Sequence, residues 1–289
     1  VKLGIPFKMY DFEKEYRSKV VDYMIEGYKA GITPNPDIMC NQEVKFKLFL
    51  EAAIEDGADM IATGHYARIK NGQLLTGDDA NKDQSYFLYR VNEGALKRSL
   101  MPIGDYEKPK VREIAARLGL NTATKKDSQG ICFVGKVGIK EFLQQFVTTK
   151  PGDIIDQNGK VIGEHEGALF YTIGQRHGLN TGGGLPYYVV GKDMAKNEVY
   201  VTTDLQDKRL WSGSLELTSA HWINQEPTET GTYMVRTRYR ADLIPVTSIK
   251  KLPNGNWKLE IKDEVRALTP GQSAVLYEAD RVVGGGIVL

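Results

Sequence analysis

Between Asp11 and Lys29 the apolar side chains Tyr16, Val20, Met24 and Tyr28 recur every fourth residue, and Gly31 follows. That spacing predicts one amphipathic helix with a stop signal behind it. The next stretch, Ile32-Thr33-Pro34-Asn35-Pro36-Asp37, holds two prolines and is predicted to lie outside any helix interior. A second helix is predicted from about Gln42 to Asp56, with Val44, Leu48 and Ala52 on one face. Met60-Ile61-Ala62-Thr63 then reads as a short buried strand that ends at Gly64-His65. Helix, short apolar strand and glycine loop in that order belong to a parallel α/β sheet, which binds ligands at the carboxyl ends of its strands.

Tyr66 to Ile69 and Gln73 to Thr76 flank Asn71-Gly72 and predict a hairpin with a two-residue turn. Ser85 to Leu118 reads as mostly helical, with Lys108-Pro109 opening a helix that Gly119 ends. A loop from Thr122 to Gly135 and a short helix around Ile139 to Phe146 follow. From Pro151 onward helical periodicity nearly vanishes, and Asn158-Gly159, Lys196-Asn197 and Asn254-Gly255 mark turns between β-rich runs. The expected fold class is therefore α/β plus β. It divides into a partial α/β domain over 1–137, a small β-rich middle domain over 138–209 and a C-terminal β-barrel-like domain over 210–289.

Composition sharpens this only slightly. Hydrophobic residues at 41% and charged residues at 26% are those of an ordinary globular protein, in which no apolar run is long enough to cross a bilayer. A net charge of +1 gives the chain as a whole no nucleic-acid signature, though a neutral total can hide basic patches. Two cysteines exclude a disulfide framework and a four-cysteine zinc site, and they suit a reducing, cytoplasmic compartment. Composition by itself reads both thiols as small buried hydrophobes. The start, Val1-Lys2-Leu3-Gly4, has neither an initiator Met nor a signal-peptide core, so the chain is expected to be a piece of a longer protein or its ordered part.

Five segments could carry chemistry. In Pro34-Asn35-Pro36-Asp37-Ile38-Met39-Cys40-Asn41, an extended loop is expected to enter a helix near Asn41 or Gln42. A helix start carries partial positive charge and unpaired N–H groups, which push a thiol such as Cys40 toward thiolate. Asp37 stands three residues earlier, where it could act as acid or base. The same residues also read as a rigid loop with Asp37 or Asn41 as a cap. Lys125-Lys126-Asp127-Ser128-Gln129-Gly130-Ile131-Cys132-Phe133 sets two lysines near Cys132, which favours thiolate and attracts phosphate. A solvated basic loop beside a buried thiol is the rival reading.

Gly64 in Ala62-Thr63-Gly64-His65-Tyr66 allows a ligand close to the backbone, and His65 reads either as a base or as a structural histidine. The run from Asp78 to Tyr86 offers Lys82, Asp83 and Gln84 but says only that a polar loop precedes a helix. In Val235-Arg236-Thr237-Arg238-Tyr239-Arg240 the three arginines would share one face of a strand. They would form a phosphate-binding stripe beside a stacking ring, or else a charged edge that blocks aggregation. Phosphate-loop, dinucleotide, zinc-protease and serine-hydrolase motifs are absent, and four histidines with two cysteines make a catalytic zinc unexpected.

Taken in order, these segments resemble the bacterial tRNA-specific 2-thiouridylases. The stretches that carry the resemblance are Gly31-Ile-Thr-Pro-Asn-Pro-Asp-Ile-Met-Cys-Asn41, Ala62-Thr-Gly-His-Tyr66, Asn81-Lys-Asp-Gln-Ser-Tyr-Phe-Leu88, Lys126-Asp-Ser-Gln-Gly-Ile-Cys-Phe133, Tyr171-Thr-Ile-Gly-Gln-Arg176, Arg236-Thr-Arg-Tyr-Arg240 and Thr269-Pro-Gly-Gln-Ser-Ala274. Each is modest, but the ordered set along nearly the whole chain is specific. The resemblance implies an incomplete adenine-nucleotide alpha-hydrolase-like parallel-sheet domain, a small β-rich middle domain and a C-terminal β-barrel. It implies a tRNA-uridine 2-sulfurtransferase that uses ATP, with Mg2+, to adenylate the C2 oxygen of the wobble uridine before a persulfide sulfur attacks C2.

By motif, Cys132 would bear the persulfide and Cys40 would be the nucleophile that releases sulfur or resolves the intermediate. Asn35, Pro36 and Asp37 would border the target base, with Asp37 as acid or base. Gly64 would contact ATP. Lys82, Asp83 and Gln84 would contact tRNA, as would Arg238 and Tyr239. Arg238 and Tyr239 point to opposite faces of a regular strand, so both can reach RNA only at an exposed edge, a bulge or a strand end. Implied partners are tRNA and a sulfur-donor protein (a cysteine desulfurase or a relay protein), with no membrane and a monomeric, cytoplasmic chain.

The two thiols are expected to stand further apart in the unbound form than the roughly 7 Å between Cα atoms that a disulfide tolerates. The family's Ser-Gly-Gly-x-Asp-Ser loop is missing from the sequence. If the protein truly lacks that loop, no tight ATP binding and no thiolation are expected, and an intact mass near 32.3 kDa would indicate the deletion. The rival functions are a non-catalytic RNA-binding module built on the arginine run and a thiol redox protein.

Overall fold

The fold is that of a computed structural model that describes residues 4–125, 138–179, 181 and 184–289. The first helical segment spans 13–29 as Glu13–Tyr16, a wider π-type turn Arg17–Val21, and Asp22–Lys29. It buries Val20, Val21, Met24, Ile25 and Tyr28, largely against Leu143 and Leu169, and its chain turns at Gly31, whose φ is +79°.

The second helix begins earlier than its apolar pattern predicts. It runs over 36–55 as Pro36–Met39, a π-type stretch Cys40–Leu48, and Phe49–Glu55. Pro36 is its first residue, where a missing N–H costs nothing and a fixed φ already suits the helix. Only Pro34 stands outside. Cys40 is therefore one turn inside the helix and not at its start.

Strands β1 (Ile61–Ala62), β2 (Ala67–Lys70), β3 (Gln73–Thr76) and β4 (Ser99–Leu100) follow. β1 and β4 pair in parallel, Ile61 with Ser99 and Ala62 with Leu100. β2 and β3 form the expected hairpin, and Asn71 and Gly72 adopt φ of 54° and 75°, the left-handed pair that a two-residue turn of this kind requires. The stretch from Ser85 to Leu118 is less helical than its sequence suggests. It holds a 3-10 turn Ser85–Leu88, a helix Glu93–Lys97, strand β4 and the helix Lys108–Arg117.

The middle domain is a sheet in the order β6-β5-β8-β7, made of β5 (Gly152–Ile155), β6 (Val161–His165), β7 (Tyr188–Asp193) and β8 (Glu198–Thr202). Ile154, Val189, Val199 and Val201 fill its interior with Tyr171. The C-terminal domain is β9 (Trp211–Trp222), β10 (Met234–Arg236), β11 (Ile244–Lys251), β12 (Trp257–Arg266), β13 (Ser273–Glu278) and β14 (Arg281–Val288). Its order β13-β10-β11-β12-β9-β14 closes through the β13–β14 pairing into a six-stranded barrel. Leu217, Val235, Leu259, Leu276 and Val283 pack inside.

The β2–β3 hairpin continues the barrel's sheet, because Leu75 of β3 pairs with Arg281 of β14. One apolar core runs across this boundary and joins Ile38, Phe46, Leu50, Tyr86 and Leu96 to Val275, Tyr277 and Val282 of the barrel. N-terminal and barrel domains thus share a packed interior.

The arginine run does not form the single stripe that strand alternation predicts. β10 ends at Arg236, so Arg238 and Arg240 lie beyond it, and Arg240 takes a positive φ of 64°. Each guanidinium has its own neighbours. Arg236 reaches Asp83 at 3.1 Å and lies 5.4 Å from the centroid of the Tyr277 ring. Arg238 donates to the carbonyl of Ala267 and, at 3.3 Å, to Thr269 Oγ1. Arg240 donates to the carbonyl of Asn81 at 2.9 Å and sits over the Tyr239 ring.

Asp83 is 4% exposed, and besides Arg236 it accepts from the backbone N–H groups of Gly77 and Ser85. Removing one member of such a pair strands the other charge in the interior. Asp83→Ala is expected to lower stability by about 3 kcal/mol or more, measured by urea unfolding, whereas a loss below about 1 kcal/mol would mean the pair is solvated.

Candidate functional site

Asn35 occupies the N-cap position of the helix that starts at Pro36, with φ −112° and ψ 94°, and its side chain makes no cap bond. Asp37 and Cys40 are three residues apart in the first turns of that helix, a spacing that puts side chains on one face about 5–6 Å apart at Cβ. Burial alternates here: Pro34, Pro36, Ile38 and Cys40 are buried, while Asn35 and Asp37 are half-exposed. The alternation holds the loop by its apolar side chains and leaves an amide and a carboxylate facing outward. Cys40 is a thiol only 4% exposed. Asn41 does not cap the helix. Its amide donates to the Phe87 carbonyl at 3.0 Å and its oxygen accepts from Lys45 at 2.9 Å.

Gly64 lies past the carboxyl end of β1. It is exposed, and among the described residues the place a Cβ would take is clear of other atoms to 4 Å. His65 beside it bonds through Nδ1 to Thr63 Oγ1 at 2.9 Å and rests on Phe46, with ring centroids 5.6 Å apart. That contact joins the strand end to the helix bearing Cys40. Burial, reinforced by the Lys45 charge, holds the imidazole down at about 3. The ring is therefore neutral near pH 7 and too weak a base for the acid–base role its sequence position left open.

The polar loop and the arginine turn, distant in sequence, form one surface. Arg236 holds Asp83 and Arg240 holds the carbonyl of Asn81, so the loop that carries Lys82, Asp83 and Gln84 is tied at two points to the arginine turn. Asp83 has both carboxylate oxygens engaged internally, which makes it the holder of this loop. Gln84 clasps Tyr66 twice: its backbone N–H donates to the Tyr66 carbonyl and its side-chain oxygen accepts from the Tyr66 N–H. Tyr239 packs on Phe87 at 4.5 Å between centroids, and Phe87 is the residue whose carbonyl Asn41 binds. Arg238 and Tyr239 lie past a strand end, which is one of the three settings that let both face a common ligand.

The candidate residues are thus linked by contact from the barrel turn to the turn holding Cys40. Cys132 and its lysines other than Lys125 lie outside the described residues. Among the described residues no cluster of three metal-ligating side chains occurs, and no helix is long and apolar enough to cross a membrane.

Sequence reasoning missed Thr33, Phe87 and Gln272. All three lay within matched stretches without an assigned role, and Thr33 reads as a plain polar residue before a proline. Their importance rests on contacts with residues far away in the chain, for which no local pattern exists.

Three family descriptions match in succession: tRNA methyl transferase HUP domain over residues 1–136, tRNA methyl transferase PRC-barrel domain over 140–203, and aminomethyltransferase beta-barrel domain over 212–288. The tRNA-specific 2-thiouridylase MnmA of Idiomarina loihiensis is 48% identical over 297 residues, covering 99% of this chain and 80% of that protein. The chain belongs to the tRNA-specific 2-thiouridylase family. The proteins of that name from Listeria innocua and Bacillus subtilis are 46% and 44% identical, each across 99% of this chain and 79% of their own length. The domain descriptions name methyl and aminomethyl transfer, whereas these relatives are named for thiolation. The relatives match the chain from end to end, so family membership rests on them.

The His65 environment is directly measurable. An unfolded chain binds a proton on this ring below about 6.5, and the folded one does so only near 3. Its contribution to stability is therefore complete above pH 6.5 and is lost as pH falls toward 3. Imidazole NMR signals assigned with His65→Asn should show no titration between pH 5 and 8, and a midpoint near 6.5 would refute the buried, neutral ring.

Proposed function

We propose that the chain replaces the C2 oxygen of the wobble uridine of tRNA with sulfur, using ATP, and that Cys40, Cys132 and Asp37 carry the chemistry. The relatives that match it end to end are named as tRNA-specific 2-thiouridylases. The observation that supports the site assignment is the first turn of the helix over 36–55. An amide that makes no cap bond (Asn35) and a carboxylate (Asp37) stand at the helix start there, and a thiol (Cys40) lies one turn further in. That turn is joined through Asn41 and Phe87 to the Tyr239 surface.

The C2 oxygen takes the AMP group of ATP as the α–β phosphoanhydride bond breaks and pyrophosphate leaves, and the C2–O bond later breaks as AMP departs with that oxygen. Gly64 suits a nucleotide's approach, because its backbone is exposed at the carboxyl end of β1 and none of the described residues fills the space beside it. In this reading the outer sulfur of a Cys132 persulfide forms the new bond to C2. The Cys40 thiolate then attacks Cys132 Sγ and breaks the S–S bond, which leaves sulfur on C2 and a Cys40–Cys132 disulfide. A dithiol reductant returns the two electrons, and a sulfur-donor protein reloads Cys132. Asp37 moves the proton at the base, and Asn35 and Pro36 border it. Lys82, Gln84, Arg238 and Tyr239 contact the tRNA, with Asp83 acting through the loop it anchors. Because Cys40 is buried, its cover must shift before it reacts. Mg2+ accompanies ATP, and the chain works as a cytoplasmic monomer.

Nucleoside mass spectrometry of tRNA tests this in a strain whose only copy of the gene is the variant. Cys40→Ala and Cys132→Ala should each abolish 2-thiouridine while tRNA binding survives. Asp37→Ala should cut the rate by about 10²-fold or more. Normal 2-thiouridine in the Cys40→Ala strain would remove Cys40 from the mechanism.

A further inference from the structure

Thr33 immediately precedes Pro34-Asn35-Pro36-Asp37, and it is bound on three sides by two other domains. Its N–H donates to the Pro270 carbonyl at 2.9 Å. Its own carbonyl accepts from Gln272 Nε2 at 2.7 Å. Its hydroxyl lies 3.2 Å from the hydroxyl of Thr172 in the middle domain. The barrel side is shaped to permit this. Gly271 sits at φ +90°, and a Cβ there would fall 2.8 Å from Thr33 N and 2.9 Å from Ile32 Cβ.

The middle-domain side is fixed as well. Thr172 N–H donates to Gln175 Oε1 at 3.0 Å, and Lys192 Nζ donates to the Tyr171 carbonyl at 2.8 Å. Beside the clasp lies a cavity of about 330 Å3 lined by Thr172, Gln175, Arg238, Thr269 and Gln272 among others. On the other side, Pro34 lies against Gly27, where a Cβ would come within 2.8 Å of its ring.

A backbone held at Thr33 and wedged at Pro34 has little freedom left at Asn35, two residues on. We propose that Thr33, acting through its hydroxyl contact to Thr172 and its backbone contacts to Pro270 and Gln272, is a positioning residue that sets the register of the Asn35–Cys40 turn. Docking of the middle domain and the barrel is thereby coupled to the geometry of that turn. The two backbone bonds survive any substitution of the side chain, so the hydroxyl pair is the part that mutation can isolate. Thr33→Val removes the donor and acceptor while keeping the shape, and Thr33→Ser keeps the hydroxyl. This inference rests on the proposed function only for its activity arm.

Two readouts separate the possibilities. In the first, Cys40 alkylation is followed by mass spectrometry on the peptide that contains it. Thr33→Val and Thr172→Val should each raise its rate several-fold with little change in Tm, the double variant should add nothing further, and Thr33→Ser should restore the original rate. In the second, turnover on tRNA, Thr33→Val should lower kcat about tenfold, with KM for tRNA nearly unchanged, as for a displaced reacting group. Unchanged Cys40 reactivity and unchanged kcat in Thr33→Val would overturn the positioning role. A change that tracks a fall in Tm and is not rescued by serine would do the same. Altered Cys40 reactivity in a protein whose wild type thiolates no tRNA would uphold the clasp and refute the proposed function instead.

Discussion

The buried pair of Asp83 and Arg236 is the interaction on which the arrangement of this molecule most depends. A carboxylate 4% exposed is tolerable only if its charge is met, and here it is met by one guanidinium and two backbone N–H groups. Arg236 is the last residue of β10, so the pair ties the loop after the β2–β3 hairpin to the barrel at the point where the strand stops. With that end pinned, the chain beyond turns through Arg238 to Arg240 and presents Tyr239 to Phe87. Without it, the loop would be tied to the barrel side by the Arg240 bond to the Asn81 carbonyl but would lose its buried anchor. Apolar packing across the boundary supplies adhesion, since Tyr277 and Val282 of the barrel join the core of Ile38 and Phe46. Adhesion of that kind is not directional, and the ion pair adds direction.

Much of this was legible in the sequence because it is local. The hairpin at Asn71-Gly72, the helix ending at Gly31 and the change to β structure after Pro151 each follow from a turn residue or a period that a window of ten residues contains. What the sequence hid falls into two classes. One is a boundary: Pro36 was read as a helix breaker, but a proline at the first helical position is a helix starter, and the two cannot be told apart until the path of the preceding residues is known. The other is partnership at a distance. Asp83 looks like one more polar residue in an exposed loop because its partner lies 153 positions away. Alternation along a strand put three arginines on one face, but alternation applies only while the strand lasts, and β10 ends after the first of them.

The same distinction governs the candidate site. The residues that the resemblance assigns to the target base, Asn35 to Asp37, stand at the start of a helix. Their immobilisation was not visible, because it comes from Gln272, Pro270 and Thr172. Moving the helix start to Pro36 also changes what Cys40 is. A thiol at an exposed helix end would owe its reactivity to the local field and to access. A thiol one turn inside, buried beneath neighbouring side chains, is protected from incidental oxidation and alkylation. In the proposed mechanism it would reach a partner sulfur only when the turn is uncovered, so protection and reactivity would be alternative states of one turn.

This gives the small middle domain a physical purpose. Its core is small, built on Ile154, Ala168, Tyr171, Val189, Val199 and Val201. Yet it supplies Thr172, and through Lys192 and Gln175 it stiffens the segment that carries Thr172 after the 3-10 turn Ala168–Phe170. A hydroxyl pair contributes only about 1 kcal/mol to stability, too little to hold domains together. It can still decide between two nearly equal placements of a loop whose backbone is already held at both sides. In that sense the barrel and the shared core determine whether the domains associate, and the weak contact at Thr33 determines how the Asn35–Cys40 turn sits once they have. A weak directional bond suits that task better than a strong one, because under the proposed mechanism the turn would uncover a buried thiol during each cycle and could not be fastened by an interaction too costly to break.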